Sequence, residues 1–186
     1  MTDASLLESE ISSEPEVELA TTARAILGNL PTGVMVLTSR GASGKAYGAT
    51  VNSFASVTLD PPTLLISLVS TSRTRQAVSE SGAFVLNILS ADQIEIAKAF
   101  AGSESDHTRR FETATWQDVE EGAVLSSAVA SFRCRTLHSI RVATHRLYVG
   151  EVVDAAWGDA APGEPLVSYR RSLFVPSERA DWSIGQ

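Results

Sequence analysis

Short apolar runs alternate with turn residues along most of the chain, which is the pattern of a β-rich protein. Runs of about four to eight apolar or alternating residues bounded by Gly, Pro, Asn, Asp or Ser are typical of strands. The pattern predicts strands at Val34–Thr38, Ala46–Phe54, Leu64–Val69, Phe84–Leu89, Val129–Ile140, His145–Ala155 and Leu166–Arg170. The separators include a turn at 41–45, the Asp60-Pro61-Pro62 run and a loop at 158–165.

The sequence predicts three short helices. The first is a set of apolar residues at intervals of three and four before Pro31, namely Ala23, Ile26, Leu27 and Leu30. The second helix is predicted from Arg73 to Glu80, since hydroxyl residues at 70–72 offer N-caps and Gly82 can end it. The third covers 91–100, and the polar stretch 101–115 that follows predicts a surface loop.

These elements favour one fold class. Six or seven strands with two or three helices, without regular strand–helix alternation, indicate an antiparallel barrel with helices at its ends rather than a doubly wound sheet. We expect the domain to cover residues 19–176, followed by a C-terminal tail at 177–186. Residues 1–18 carry six carboxylates and no Lys or Arg, which predicts a disordered, solvated arm, with a partner-docking tail as the alternative.

Composition and charge remove several classes of function. A chain of 186 residues with 44% apolar content is large enough for one domain with its own core. The net charge of −7 argues against nucleic acid as a partner, and no apolar run reaches the length of a membrane span. The single cysteine excludes an internal disulfide, and the N-terminal residues lack the features of a secretory signal, so we expect a cytoplasmic protein.

Side chains that could perform hydrolysis or bind a metal are poorly placed. No Gly-x-Ser-x-Gly elbow occurs, and the alternation of its strand turns Cys134 inward as a packed thiol. The histidines at 107, 138 and 145 lack the spacing of metal ligands, so no metal site is predicted. Neither of the two familiar glycine-rich nucleotide loops is present.

One unusual segment runs from Ala49 to Thr58, where small and hydroxylated residues occupy a predicted strand edge. A purely structural strand would carry larger β-branched residues. Small side chains allow a flat ligand to lie against the backbone, and hydroxyl and amide groups can bind a polyol or a phosphate. An ordinary polar strand is the competing interpretation.

Four motifs carry a family resemblance, and they occur in the family's order. They are Thr32-Gly33-Val34, the run Asn52-Ser53-Phe54-Ala55-Ser56-Val57-Thr58-Leu59-Asp60-Pro61-Pro62, the strand Phe84–Leu89, and His145 followed by Gly150-Glu151-Val152. Together they resemble the flavin reductase family with a split-barrel FMN-binding fold, over about residues 20–175. The run that begins at Asn52 is the most specific of the four.

The resemblance implies a mainly β, Greek-key-like split antiparallel barrel of about six strands with short flanking helices. It implies a homodimer with flavin near the interface, in which NADH or NADPH reduces FMN or FAD by hydride transfer. The protein would be an NAD(P)H-dependent flavin reductase that supplies reduced flavin to a separate oxygenase component. A flavin carrier or sensor without turnover is the alternative, and a heme- or F420-binding split barrel is a third, less favoured one.

Site residues follow from the same resemblance. The cofactor-binding set is Thr32, Gly33, Val34, Ala49, Thr50, Val51, Asn52, Ser53, Phe54, Ser56, Ser72, Arg73 and Asn87. Within it, Ser72 and Arg73 would hold phosphate at a helix N-terminus. The resemblance places His145 beside the nicotinamide as the catalytic residue, although Ala143-Thr144 stands where the family has Gly-Asp; a surface histidine at a strand start is the alternative. Tyr169 is expected to pack the barrel first and contact cofactor second.

Overall fold

The structure is a computed structural model that describes residues 14–102, 107–161 and 163–176. Its helices are Glu14–Leu27 (α1), Arg73–Ser81 (α2), Ile94–Ala101 (α3) and His107–Phe111 (α4). Its strands are Thr32–Gly33 (β1), Met35–Arg40 (β2), Ala46–Val51 (β3), Phe54–Leu59 (β4), Pro62–Val69 (β5), Ala83–Ile88 (β6), Trp116–Val119 (β7), Gly122–Leu125 (β8), Ala130–Val142 (β9), His145–Trp157 (β10), Val167–Tyr169 (β11) and Ser172–Phe174 (β12). The predicted tail at 177–186 and residues 1–13 of the predicted arm lie outside the described residues.

Seven strands form one antiparallel sheet in the order β3-β2-β6-β9-β10-β5-β4. The two edge strands, β3 and β4, are consecutive in the chain and are separated only by Asn52 and Ser53. Because so short a link spans at most about 10 Å between strand ends, the sheet must curl until its two edges meet at this corner. The result is the split antiparallel barrel expected from the sequence, with seven strands in the sheet instead of about six.

The inner face of the curled sheet carries the main core. Six of the seven strands, all except β4, contribute to one buried cluster that includes Leu37, Ile66 and Phe84. Helix α2 packs into the same cluster through Val78. The hydroxyl of Tyr148, on β10, donates to the carbonyl of Arg75 on that helix over 3.2 Å. A cluster of this kind forms only when the strands surround it, so the core lies inside the barrel.

A second buried cluster covers the outer face of β2 and β6. It joins Val36 to Phe100 of α3 and to Leu125 of β8. Phe111 of α4 packs edge-on against Phe100, with ring centroids 5.1 Å apart. The prediction of a polar surface loop over 101–115 is therefore wrong at its end, where an aromatic side chain packs against the outer core. The β7–β8 hairpin also lies outside the predicted elements.

Helix α1 begins at Glu14, five residues before the predicted start of the ordered domain. Residues 14–18 are thus helical and do not belong to a disordered arm. The apolar side of the predicted helix faces outward in the isolated chain, since Ile26 is 64% exposed and Leu27 is 62% exposed. Among the described residues, no helix is both long enough and apolar enough to cross a membrane.

The structure confirms two further local predictions and corrects a third. Helix α2 has the predicted caps: Ser72 accepts the N–H of Arg75, and Gly82 ends the helix with φ of +70°. Cys134 is fully buried, as its strand alternation indicates. The predicted strand Ala46–Phe54 is wrong as a single element, because the chain turns at the barrel corner and divides into β3 and β4.

Candidate functional site

The corner between β3 and β4 is held by side chains from the segment that the sequence marks as unusual. The side-chain N–H of Asn52 donates to the hydroxyl of Thr32 over 3.2 Å. The hydroxyl of Ser53 donates to the carbonyl of Ser67 over 2.9 Å, and the N–H of Ser67 donates back to the carbonyl of Ser53. The corner is thereby tied to β1 on one side and to β5 on the other.

A cavity of about 350 Å³ lies beside this corner. Its lining combines the polar residues Thr32, Asn52 and Ser168 with two arginines, Arg24 and Arg171; apolar residues at the end of α1 complete it. The volume lies within the range typical of small-molecule sites. Two strands, the barrel corner, the β11–β12 turn and one helix therefore place hydroxyl, amide and guanidinium groups around one space.

Gly33 leaves the backbone open next to this cavity. It is exposed, and a Cβ added at this position would meet no atom within 4 Å. The backbone of β1 can therefore be approached closely by a flat ligand, as small residues in a binding site allow.

Strand β4 has all six of its side chains exposed, although it belongs to the main sheet. It is an edge strand, paired only with β5. Val57 is 54% exposed and Leu59 is 81% exposed, so apolar surface is present along an open edge. Native proteins usually cover or charge such an edge.

The N-terminus of α2 provides polar groups near the end of β5. The hydroxyl of Ser72 accepts the N–H of Arg75 over 3.1 Å and retains its own hydrogen for a further acceptor. The hydroxyl of Ser70 is buried and has no hydrogen-bond partner. A buried hydroxyl without a partner is unfavourable by about 1–3 kcal/mol. Arg73 is exposed and also lines a small cavity with Tyr47 and Glu80.

His145 begins β10 and pairs with Val69, the last residue of β5. It is exposed, and its Nδ1 lies 3.0 Å from the hydroxyl of Thr144. The carbonyl of Thr144 in turn accepts the N–H of Ser70 over 2.9 Å. These bonds hold the histidine next to the residues that lead into α2.

His145 and several of the predicted flavin residues thus lie around one end of β5. Ser53 bonds to Ser67 on one side of this strand, and His145 pairs two residues further along on its other side. Neighbouring strands are about 4.8 Å apart and rise about 3.4 Å per residue. Two strand spacings and an offset of two residues put the backbones of Ser53 and His145 roughly 12 Å apart. Phe54 and Ser56 continue from this point along β4, opposite Ile66 and Leu64.

Other predicted cofactor residues point into the protein. Val34 and Val51 are buried in the two cores. Asn87 is fully buried, and its amide bonds to the carbonyls of Val36 and Ala123 and to the N–H of Leu125. These three side chains are engaged in packing, and we leave them out of the flavin site proposed below.

Two further predicted residues lie on β3. The hydroxyl of Thr50 donates to the carbonyl of Ala97 on α3 over 2.6 Å, so it supports the helix. Ala49 is partly buried in the middle of the strand, opposite Leu37. Neither lies at the corner itself.

The single cysteine takes no part in this site. Burial raises the pKa of Cys134 to about 12, with a smaller contribution from the charge of Glu121. The carboxylate of Glu121 is itself buried; burial would raise its pKa, but the hydrogen bonds and charge of Arg133 outweigh this and lower the pKa. The thiol therefore stays protonated at neutral pH and is not a nucleophile.

Arg24 and Arg171 are the residues that sequence reasoning missed. They stand far apart in the chain and belong to no recognised motif. The one local signal is the Arg170-Arg171 pair at the end of the predicted strand Leu166–Arg170.

Comparisons with known proteins bear on the same region. The family model for the flavin reductase-like domain matches residues 27–176. The chain is 36% identical to an NADH-dependent FMN reductase from Streptomyces nodosus subsp. asukaensis, over 79% of this chain and 80% of that protein. It is 33% identical to the reductase component of a 4-nitrophenol 4-monooxygenase/4-nitrocatechol 2-monooxygenase from Rhodococcus opacus, over 88% and 85% of the two chains.

A solved structure extends the comparison to bound ligands. The fold matches an NADH:FAD oxidoreductase from Streptomyces globisporus C-1027, solved in complex with NAD and FAD fragments, with a TM-score of 0.78 and 27% identity. The match covers 90% of this chain and 98% of that one. Sequence and structure comparisons therefore agree on the same group of proteins.

Proposed function

The chain belongs to the flavin reductase-like domain family, and on this premise we propose that it reduces flavin with NADH at the corner of the barrel. The observation that carries the proposal is the meeting of the Asn52–Ser56 segment, the start of α2 and His145 around one end of β5. The reaction would fall in the EC 1.5.1 class.

The residues present suit a flavin. Small or polar groups at Gly33, Thr32, Asn52 and Ser53 leave room for a planar ring and offer donors and acceptors to its rim and ribityl chain. When bound, a flavin supplies the atom that accepts hydride, so no side-chain nucleophile is required. The protein's contribution is to hold the flavin ring and the nicotinamide ring in the orientation that hydride transfer needs. Positioning of this kind can lower the activation barrier by several kcal/mol.

The start of α2 is the proposed phosphate subsite for the flavin. The hydroxyl of Ser72 caps this helix terminus, and Arg73 is the first residue of the helix. A helix N-terminus and a guanidinium both favour an anion.

We assign His145 the positioning of the nicotinamide. Its contact with Thr144 limits rotation of the ring while the side chain remains exposed to a ligand. Ala143 has φ of +47°, a left-handed conformation that glycine adopts most readily. The turn therefore keeps a glycine-like backbone although Ala143-Thr144 replaces the family's Gly-Asp, and this supports reductase turnover over the alternative of a flavin carrier.

A homodimer would complete the site. The exposed apolar edge at β4 borders the proposed flavin segment, so a second copy of the chain on this edge would cover both. We propose that the enzyme acts as a cytoplasmic homodimer that releases reduced flavin to an oxygenase component. Sedimentation of the full chain tests the dimer. A monomer at micromolar concentration would contradict the dimer.

The deciding experiment mixes the purified protein with FMN or FAD and follows oxidation of NADH or NADPH by the loss of its absorbance. Rapid NADH oxidation that requires added flavin is expected. Flavin binding without oxidation of NADH or NADPH would instead favour the carrier. The absence of both flavin binding and oxidation would refute the proposed site.

The variant His145→Ala separates the two halves of the site. It should keep FMN affinity and lose most NADH oxidation, because the histidine lies on the opposite side of β5 from Ser53. His138→Ala, which replaces an exposed histidine on the neighbouring strand β9, is the matched control. Equal turnover in both variants would make His145 an ordinary surface residue.

A further inference from the structure

We propose that Arg24 and Arg171 form an anion site that holds a phosphate group of the nicotinamide dinucleotide beside Thr32 and Asn52. The site is separate from the phosphate subsite at α2. The identity of the nucleotide rests on the proposed function, whereas the anion site rests on the cavity and its charges.

Arg171 has a left-handed backbone conformation, which residues with long side chains rarely adopt. Tyr169 pairs with Ser172, so Arg170 and Arg171 are the two central residues of the hairpin turn between β11 and β12. Their φ values are +49° and +64°. Such a turn is usually built from Asn-Gly, because both residues need left-handed backbone. Strained backbone held in place by its surroundings is a feature of binding sites.

The surroundings hold this turn through Arg170. Its Nε donates to Oδ1 of Asn29 over 2.8 Å, its backbone N–H donates to the carbonyl of Gly28 over 2.8 Å, and its guanidinium lies 5.3 Å from the ring centre of Tyr169. Gly28 and Asn29 directly follow α1, and Arg24 lies in the last turn of that helix. The hairpin is thereby fixed against the element that carries the second arginine.

The charges around the cavity are unbalanced. Arg24 and Arg171 both line it, and none of the described residues that line it is acidic. Neither guanidinium has a hydrogen bond or an ion pair within the described part of the chain. The dipole of α1 would favour a cation near its C-terminus, which accounts for Arg24 but not for Arg171. Two positive charges along one cavity are unfavourable, and a bound phosphate would neutralise them in part.

A dinucleotide supplies a suitable group at this place. The flavin phosphate is already assigned to α2, so the second cationic site suits the pyrophosphate of the other substrate. Flavin phosphate is the alternative source of the same chemistry, and the test distinguishes the two.

The first measurement needs no turnover. Inorganic pyrophosphate is titrated calorimetrically into the flavin-free wild type and the variants Arg171→Gly and Lys45→Ala. Glycine suits the left-handed turn, so Arg171→Gly should fold at least as well as the wild type. Lys45 is exposed in the β2–β3 turn, and its replacement removes one positive charge away from the cavity.

We expect Arg171→Gly to weaken pyrophosphate binding about tenfold or more, as the loss of a charge-assisted hydrogen bond implies, and Lys45→Ala to change it less than about twofold. Arg24→Gln should act like Arg171→Gly. Equal affinity in all variants, or no binding to the wild type, would overturn the anion site.

Kinetics identify the source of the phosphate. Arg171→Gly should raise the KM for NADH about tenfold with little change in kcat, and should leave the KM for 1-benzyl-1,4-dihydronicotinamide, which has no phosphate, unchanged. A rise in the KM for FMN but not for riboflavin would assign the site to flavin and refute the dinucleotide assignment. If the wild type oxidises no NADH with any flavin, the proposed function fails, while the pyrophosphate titration still decides the anion site.

Discussion

The side-chain amide of Asn52 donates to the hydroxyl of Thr32 over 3.2 Å, and this bond joins the corner of the seven-stranded sheet to the small sheet β1-β11-β12. The small sheet carries the Arg170-Arg171 turn, so one hydrogen bond connects the proposed flavin segment with the proposed anion site. Both residues line the same cavity. The corner therefore has an architectural role, and the proposed ligands would contact the same residues.

Replacement of Asn52 tests the flavin half of this corner. Asn52→Leu keeps the side-chain size but removes the amide, and we expect FMN affinity to fall about tenfold, because a donor or acceptor for the flavin is lost. Quenching of flavin fluorescence measures the affinity. Gln117→Leu, which removes an exposed amide on β7, is the control. Unchanged FMN affinity in Asn52→Leu would remove Asn52 from the site.

Gly33→Ala asks whether the flavin lies against β1. The added Cβ meets no protein atom within 4 Å, so the thermal midpoint should stay within about 2 °C of the wild type. FMN affinity should nevertheless fall about tenfold, since the methyl group fills the space assigned to the ring. A variant that binds FMN as tightly as the wild type would show that the ring lies elsewhere.

Gly150→Ala tests the interior of the barrel. A Cβ at this position would lie 2.6 Å from Cζ of Phe84 and 3.3 Å from Cβ of Cys134, both in the buried core. We expect the free energy of unfolding to fall by about 1–3 kcal/mol, measured by urea denaturation.

The second variant for this test makes room for the methyl group. The double variant Phe84→Leu/Gly150→Ala should lose less stability than the sum of its two single variants, because the smaller side chain relieves the clash. If the changes in the free energy of unfolding simply add, the contact with Phe84 is not the cause of the stability lost in Gly150→Ala.

The buried thiol of Cys134 predicts a loss of stability in alkali. Burial, with a smaller effect of Glu121, raises its pKa from 9.0 to about 12 in the folded protein. Above about pH 9 the unfolded chain releases this proton while the folded chain keeps it, so the free energy of unfolding falls by about 1.4 kcal/mol per pH unit until about pH 12.

Urea denaturation between these pH values measures this slope. Cys134→Ala should remove the Cys134 contribution to this slope, although the variant is less stable than the wild type at neutral pH because a core contact is lost. Slopes that are equal in the two proteins would contradict the assigned pKa.

Local sequence signals predicted a large part of the architecture. The caps of α2 and the inward side of Cys134 depend on residues a few positions apart, and the structure confirms both. The same is true of the mainly β class, which follows from counting strands. These features are readable because hydrogen bonding in a helix and alternation in a strand are short-range regularities.

The boundary errors have a common cause. The segment Ala46–Phe54 has an unbroken strand pattern, but closure of the barrel forces a turn at Asn52-Ser53. Phe111 lies in a polar stretch, yet it packs because Phe100 presents a ring to it. In each case a contact with a distant element outweighed the local preference.

The sequence by itself determined the family, the segment that borders the proposed site, the caps of α2 and the inward side of Cys134. The tertiary structure alone decided that Val34, Val51 and Asn87 are enclosed, that β4 is left uncovered, and that two arginines line one cavity. Asn29 and Arg170, which fix that cavity's wall, are 141 positions apart in the chain. Contacts over such separations depend on how the sheet curls, and no periodicity within a short window encodes that closure.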